Sequence, residues 1–446
     1  MNKKEKEQEQ YIAKLESELK ALRGENKYLH KMIESKRFRF AEKVANGFNG
    51  VFPKNTARRN AIEKVASTGG RIKETKRQQY IKGRVTELKD MTKGYENIIV
   101  LNSVPWDLKL QQRPHHLANE FQKAGFFVIY LEYDNPLQNF RVIKDSLAVV
   151  NSDDFIRGLP TSDKKYYFLS PNNMPTKYAV LKKIKDCGFE IIYDYLDEFH
   201  EDISGDLTIQ KDVWDKLESL NPVLCLATAH RLYDELKKHL DKTQKVVMAS
   251  NAVNAKHFDY KQNKTKTPPL DLKAIVDKNK PIVGFYGALA PWIDFDMLNK
   301  LAKDRPNYEF VYLGVDYNDT AKDLECSENV HNLGAKNYDT LPKYAKYFNC
   351  ALIPFKRGDI AKATSPVKLF EYMAAGLPTV CSRDLKECEG YEYVYMSKDD
   401  KEFMLNVDKA IKTYGDAAAR EKLLEQAEKN TWSSRVKCII EALEND

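Results

Sequence analysis

The 446-residue chain has no run of eighteen apolar residues, the length a helix needs to cross a bilayer, so no helical membrane span is expected. Its first residues, Met-Asn-Lys-Lys-Glu-Lys-Glu-Gln, contain no apolar stretch and do not read as a secretory signal. The seven cysteines, at 187, 225, 326, 350, 381, 388 and 438, are odd in number and scattered, with no Cys-x-x-Cys pair. That pattern speaks against a disulfide framework or a zinc site and for the reduced thiols of a cytoplasmic protein. Neither a GxGxxG turn nor a Walker phosphate loop is present, which tells against a dehydrogenase or a kinase.

A hydrophobic content of 42% supports a real core, and a charged content of 31% supports a well-solvated surface. The length leaves room for two or three domains. The net charge of +7 is unevenly placed: residues 1–94 hold 16 Lys and 8 Arg against 12 acidic residues, a net of +12, so the remaining 352 residues carry −5. An anionic partner is therefore expected for the N-terminal extension rather than for the body. Ile12, Leu15, Leu19, Leu22, Asn26, Leu29 and Ile33 alternate spacings of three and four. They form an a/d seam with Ile at a, Leu at d and one a-position Asn, which favours a parallel two-stranded coiled coil and hence a homodimer through residues 12–33. A single amphipathic helix packed on its own body would show the same spacing. In residues 36–59, Phe38, Phe40, Phe48 and Phe52 interleave with Lys36, Arg37, Arg39, Lys43 and Lys54. Such a segment can insert at an anionic lipid surface, pack against the body, or stack nucleotides. The membrane surface is the favoured partner, and no nucleic acid is expected. Residues 60–93 are basic and polar and read as a flexible helical connection.

From residue 97 the pattern becomes strand, helix, strand. Short apolar runs at 97–101, 126–131, 147–150, 166–169, 190–196, 224–229 and 245–249 alternate with helical patterns at 113–124 and 176–187. Residues 261–280, Lys-rich with Pro268-Pro269, read as an interdomain linker. A second alternation follows, with strands at 281–286, 309–314, 350–354 and 378–381, helices near 294–303, 340–348, 366–375 and 401–413, and a final helical segment 417–444. Two parallel sheets covered on both faces are implied, facing each other across a cleft at the C-terminal ends of their strands.

Residues 365–380, Ser-Pro-Val-Lys-Leu-Phe-Glu-Tyr-Met-Ala-Ala-Gly-Leu-Pro-Thr-Val, carry the strongest functional signal. Ser365 suits the N-cap, Pro366 the first helical position, and Gly376 the left-handed residue past the end. The free amides and positive dipole end of such a helix form an anion site, and Lys368 adds a cation. Glu371, one turn further in, can accept two hydroxyl bonds from a ribose. Pyrophosphate at the tip and ribose along the side would make a nucleotide-sugar site. Asp294-Phe-Asp296 formally matches a metal-binding Asp-x-Asp, but its place at a helix start reads as an ordinary cap, and no metal or other cofactor is expected. Arg113 and His116 open a helix of the first domain, where an arginine can clamp phosphate and a histidine can contact a sugar. Asp194 and Asp197, at a strand end, offer carboxylates at the cleft, to position the acceptor, to hold a basic partner, or as buried structural groups. His230 is a weaker candidate. No residue stands out as a nucleophile.

The 365–380 segment resembles the donor-binding segment of retaining glycosyltransferases of family 4, which have the GT-B fold. In the family's order follow Tyr-Gly-Ala-Leu at 286–289, Asn332-Leu-Gly334, Leu341-Pro-Lys-Tyr and Ala351-Leu-Ile-Pro-Phe355. Asn251-Ala-Val-Asn254 stands where many members have Asn-Gly-Val-Asp, and Arg113-Pro-His-His116 is similar to a motif of bacterial surface-polysaccharide members. The family often has two glutamates with seven residues between them. The one assigned to ribose is present as Glu371, whereas the one placed near the donor sugar is replaced by Ala363, as in Ser-Pro-x-Lys branches of the family. The resemblance implies an α/β, GT-B architecture with two Rossmann-like parallel-sheet domains. The segments expected are a coiled coil at 1–35, a basic aromatic segment at 36–94, an acceptor domain at 95–262, a donor domain at 263–430, and a helix at 431–446 crossing back to the first domain. It implies a hexosyl- or deoxyhexosyltransferase, retaining and metal-independent, that uses a nucleotide-diphosphate sugar, with UDP- or dTDP-sugars favoured. The acceptor would be a lipid-linked surface polysaccharide at the inner face of the plasma membrane. Donor contacts are expected from Gly287, Ala288, Thr364, Ser365, Pro366, Val367, Lys368 and Glu371, and catalytic roles from Arg113, His116, Asp194 and Lys368. The alternatives are a GT-B scaffold without turnover and a nucleotide-sugar epimerase.

Overall fold

The computed structural model describes residues 81–445 apart from 103, 109–110, 133–139, 160–163, 171–173, 201–211, 260–266 and 318, and the side chains of 174–177. All described residues belong to one compact unit, Ile81–Asp446. The coiled-coil and membrane-surface expectations for residues 12–33 and 36–59 lie outside the described residues.

The first sheet has eight strands in the order β3-β4-β2-β1-β5-β6-β7-β8. They are β1 (Asn97–Asn102), β2 (Phe127–Leu131), β3 (Phe140–Lys144), β4 (Leu147–Val150), β5 (Lys164–Leu169), β6 (Phe189–Tyr195), β7 (Leu224–Ala227) and β8 (Val246–Met248). Every pairing is parallel except that of the edge strand β3 with β4. The central strands are apolar throughout because both faces are covered. Along β1, Ile98 and Val100 enter one buried cluster, whereas Ile99 and Leu101 enter the other. This is the period-2 alternation of a pleated strand sandwiched between helix layers.

The second sheet is wholly parallel, in the order β11-β10-β9-β12-β13-β14. Its strands are β9 (Ile282–Tyr286), β10 (Glu309–Leu313), β11 (Val330–Asn332), β12 (Cys350–Ile353), β13 (Thr379–Ser382) and β14 (Val394–Ser397). It too divides its side chains between two buried clusters.

Every strand expected from an apolar run is present, and three more appear: β3, β11 and β14. These three lie at sheet edges, and most of their residues are only half-buried, so they lack the apolar run that betrays a central strand. The expected linker is not free of structure. Within it Leu270–Val276 is helical and buries Leu272 and Ile275 in the second half, and the Tyr344 hydroxyl donates to Asp271 at 2.8 Å. Residues 81–92, expected as part of a flexible connection, are helical and bury Ile81 and Leu88 against the first sheet.

The helical segment 417–444 is two helices, Ala417–Lys429 and Trp432–Glu444, and the second falls within the helix expected at 431–446. The break falls at Thr431, whose side chain caps the second by accepting from the Ser434 amide at 3.2 Å. That second helix packs on the first half, with Trp432, Val436 and Ile439 in its buried cluster. Two connections thus link the halves, and they run side by side: Val253 and Thr431 form a parallel bridge, and the Trp432 amide donates to the Val253 carbonyl at 3.2 Å. Among the described residues no helix is long and apolar enough to cross a membrane.

Candidate functional site: an unpaired lysine and glutamate beside a glycine turn

The helix Val367–Ala374 follows the loop after β12 and buries Leu369, Phe370, Tyr372, Met373 and Ala374. Burial of that face fixes its rotation about its own axis. Its end is as the sequence implies: Gly376 has φ +68°, and the Leu377 amide reaches back to the Tyr372 carbonyl at 2.9 Å. Its start differs. Pro366, not Ser365, is the cap residue, and it brings no side-chain bond. Ser365 faces the first half instead. Its hydroxyl accepts from the Asn251 amide at 3.1 Å, and its carbonyl accepts from the Asn251 side-chain amide at 2.7 Å. A tertiary partner has taken the hydroxyl from the local one; of the first-turn amides, those of Val367 and Lys368 have no intrahelical acceptor, while that of Leu369 donates to the Pro366 carbonyl at 3.1 Å.

The Tyr286 amide donates to the Tyr372 hydroxyl at 3.0 Å, which pins the helix to the end of β9. The chain then turns at Gly287, with φ +152°. A Cβ there would lie 2.7 Å from Lys368 Cε, so the missing side chain is what lets the lysine lie over the turn. Gly314, at the end of β10, is just as constrained, because its Cβ would meet the Gly287 carbonyl oxygen at 1.7 Å. Ala288 is half-buried at the same turn, as are Thr364 in the loop below and Val367 at the start of the helix; the Thr364 hydroxyl donates to the Ile360 carbonyl at 2.6 Å. The donor residues expected at 287–288 and 364–371 therefore meet in one place.

Lys368 and Glu371 make no hydrogen bond or ion pair of normal geometry with other described residues; they face each other, and the Tyr286 hydroxyl faces Glu371. Burial lowers the lysine's pKa, partly offset by Glu371. Burial raises the Glu371 carboxyl to about 7, against the pull of the Lys368 ammonium and the Tyr286 hydroxyl. Each group is thus desolvated and only partly compensated. A ligand that brings an anion to one and hydroxyls to the other would supply what the fold leaves out. The buried hydroxyls of Tyr286 and Tyr338 are likewise without a hydrogen-bond partner.

The first-half candidates are placed differently. Arg113 grips Asp194 with two bonds, Nε to Oδ2 and Nη2 to Oδ1, both 2.9 Å, and both side chains are buried. Nη1 reaches the Ser250 carbonyl and Asn251 Oδ1, each at 3.4 Å. His116 stacks on Trp432, with ring centres 4.9 Å apart and planes 6° from parallel, and meets the edge of Tyr338 at 5.4 Å. Burial drives its pKa down to about 3, with His115, His257 and Lys123 acting the same way, so the ring is neutral, and its Nε2 has no partner. His115 accepts the Gln112 amide on Nδ1 at 3.1 Å, so its other nitrogen carries the proton and donates to the Pro105 carbonyl at 3.1 Å.

Asp294 acts as a helix cap, accepting from the Met297 amide at 3.1 Å. Among the described residues no three His, Cys, Asp or Glu side chains cluster as metal ligands would. His230 meets Glu387 of the second half, which accepts from its amide at 2.7 Å and lies 2.9 Å from its Nδ1. Composition gives no sign of that contact or of Tyr338's place at the site.

Residues 271–430 match the family Glycosyl transferases group 1. The chain carries the domain of a glycosyltransferase enzyme. A relative named for teichuronic acid biosynthesis, the glycosyltransferase TuaH of Bacillus subtilis (strain 168), is 25% identical over 268 residues. That alignment covers 56% of this chain and 66% of the relative, just under two thirds of its length. Solved structures align over more of the chain. A sucrose-phosphate synthase from Thermosynechococcus elongatus superposes with a TM-score of 0.60 at 13% identity, over 78% of this chain and 98% of that one. A trehalose-6-phosphate protein from E. coli, bound with UDP-2-fluoro glucose, gives 0.60 at 13%, over 78% and 99%. Alr3699/HepE of Anabaena, in complex with UDP and glucose, gives 0.54 at 12%, over 79% and 100%. This likeness is one of fold: two Rossmann-like, parallel-sheet halves of the GT-B kind.

Proposed function

We propose that the protein is a retaining, metal-independent glycosyltransferase of family 4. It takes a sugar from a nucleotide diphosphate, with UDP- and dTDP-sugars favoured, and transfers it to a lipid-linked surface polysaccharide at the inner face of the plasma membrane. The observation that carries the donor half of this reading is the unpaired Lys368 and Glu371, one turn apart, over the Gly287 turn. Lys368 and the first-turn amides take the diphosphate, and Glu371 takes the ribose hydroxyls. As the glycosidic bond breaks, charge grows on the departing phosphate. A lysine in a desolvated pocket, with helix amides already aimed there, stabilises it without a cation. The phosphate oxygen released on that face is the group that accepts the proton of the incoming hydroxyl.

The neutral His116 lies against Trp432, where the chain returns to the first half, and Arg113, bound to Asp194 and Asn251, ties the first half's loops to the Ser365 loop. The acceptor reading rests on the resemblance to surface-polysaccharide members and on the subject named for the Bacillus relative. A scaffold without turnover is favoured by one feature, the lack of a carboxylate at Ala363, whose methyl is buried among first-half side chains.

The test is nucleotide release and thermal shift against a panel of UDP-, dTDP- and GDP-sugars, for the wild type and Glu371→Ala. A transferase gives one donor that stabilises the wild type and is slowly hydrolysed, with affinity in the variant lower by about ten- to a hundredfold. A variant that keeps its donor affinity removes Glu371 from the site. A wild type stabilised by no donor supports the scaffold.

A further inference from the structure

Three carboxylates lie within five residues at the C-terminal end of β6: Asp194 in the strand, and Asp197 and Glu198 just after it. Asp194 is held by both arms of Arg113. Glu198 accepts from Arg231 at 2.7 Å, and the other arm of that guanidinium crosses the cleft to Asp359 at 2.7 Å. Asp197, between them in sequence, is half-buried and has no hydrogen bond or ion pair with any described residue. Its surroundings are tied to the loop that leads into the Lys368 helix. On one side Arg113 and Asn251 connect Asp194 to Ser365. On the other, Arg231 connects Glu198 to Asp359. The facing loop has no carboxylate to spare, since Asp359 is taken by Arg231 and Ala363 is buried against the first half.

We propose that Asp197 is the first half's ligand to the glycosyl group of the donor, its carboxylate accepting hydrogen bonds from sugar hydroxyls in the cleft. The proposal rests on the donor reading above, which places the diphosphate at Lys368 and hence the sugar towards the facing half. Burial, joined by the charge of Asp194 and opposed by that of Arg113, raises its carboxyl to about 6, as expected of a carboxylate waiting for donors. Glu371 and Asp197 would then hold the two ends of one ligand, the nucleoside and the sugar.

The experiment is calorimetric titration of the full chain with UDP and UDP-glucose, dTDP and dTDP-glucose, and GDP and GDP-mannose, for the wild type, Asp197→Asn and Asp194→Asn, with the Tm of each. In the wild type one nucleotide sugar should bind more tightly than its nucleotide diphosphate. In Asp197→Asn that difference should shrink by about ten- to a hundredfold, with the nucleotide diphosphate binding as before. Its Tm should hold or rise, because no partner is lost, whereas Asp194→Asn should lose Tm. The proposal is overturned if the sugar adds nothing to wild-type affinity, if the variant keeps the difference, or if its Tm falls as that of Asp194→Asn does. A wild type that binds no nucleotide diphosphate overturns the donor reading itself, and this proposal with it.

Discussion

The two halves share an architecture and treat their charges in opposite ways. At the C-terminal ends of the first sheet, charges are matched to one another: Arg113 with Asp194, Arg141 with Glu132 and Asp107, Arg231 with Glu198. At the corresponding place in the second half, Lys368 and Glu371 are near each other and make no hydrogen bond or ion pair of normal geometry with other described residues. A buried pair closed on itself holds loops in register but offers less to a ligand, because most of its lone pairs and protons are already used. An open pair weakens the fold and is kept only where something else completes it. Asp197 is the exception in the first half, and it follows the rule of the second.

The sharpest way to break this contrast is to break a closed pair. Asp194→Ala leaves the Arg113 guanidinium buried and uncompensated, and should lower stability by about 3–5 kcal/mol in a denaturant titration. A loss under 1 kcal/mol would mean the pair is not what holds these loops. Next in size is Gly314→Ala. Its Cβ must displace the Gly287 backbone, 1.7 Å away, which should destabilise by about 1–3 kcal/mol and weaken donor binding by moving the turn under Lys368. Intact donor affinity in this variant would detach the turn from the site.

The open pair is tested by pH. The folded state raises the Glu371 carboxyl from 4.5 to about 7, so between those values it binds more protons than the unfolded chain. Stability from this group is therefore greatest at low pH and is lost as pH rises through about 7. Donor affinity should run the other way, rising through about 7 as the carboxylate that accepts ribose hydroxyls forms. Glu371→Gln should flatten both curves, and a variant that titrates like the wild type would assign the ionisation elsewhere. The smallest effect expected is that of Asp294→Ala, about 1 kcal/mol for a lost cap, with transfer unchanged by a chelator before and after. A chelator-sensitive wild type would restore the metal reading of Asp294 and Asp296.

How much was legible varies with how local each signal is. The Lys368 helix reads from its letters because Gly376 and the apolar face act within a few residues. Its start does not, because Ser365 has a choice between a local amide and Asn251, 114 positions away in sequence. The break before Trp432 came from the family resemblance, which implied a helix from 431, and not from the apolar periodicity, which runs straight across it. Edge strands β3, β11 and β14 escape because their exposure removes the pattern that marks a strand.

The sequence by itself determined the alternation of strands and helices, the two-sheet layout, and the placing of a lysine and a glutamate one turn apart at a helix start. Those follow from periodicity, glycine geometry and spacing, which act over short stretches of chain. Only the tertiary structure decided that Arg113 closes on Asp194, that His116 lies neutral against Trp432, and that Lys368, Glu371 and Asp197 form no ion pair or hydrogen bond of normal geometry with the described residues around them. Whether a charge is paired depends on groups brought from distant parts of the chain, and on how much water the packing leaves beside it.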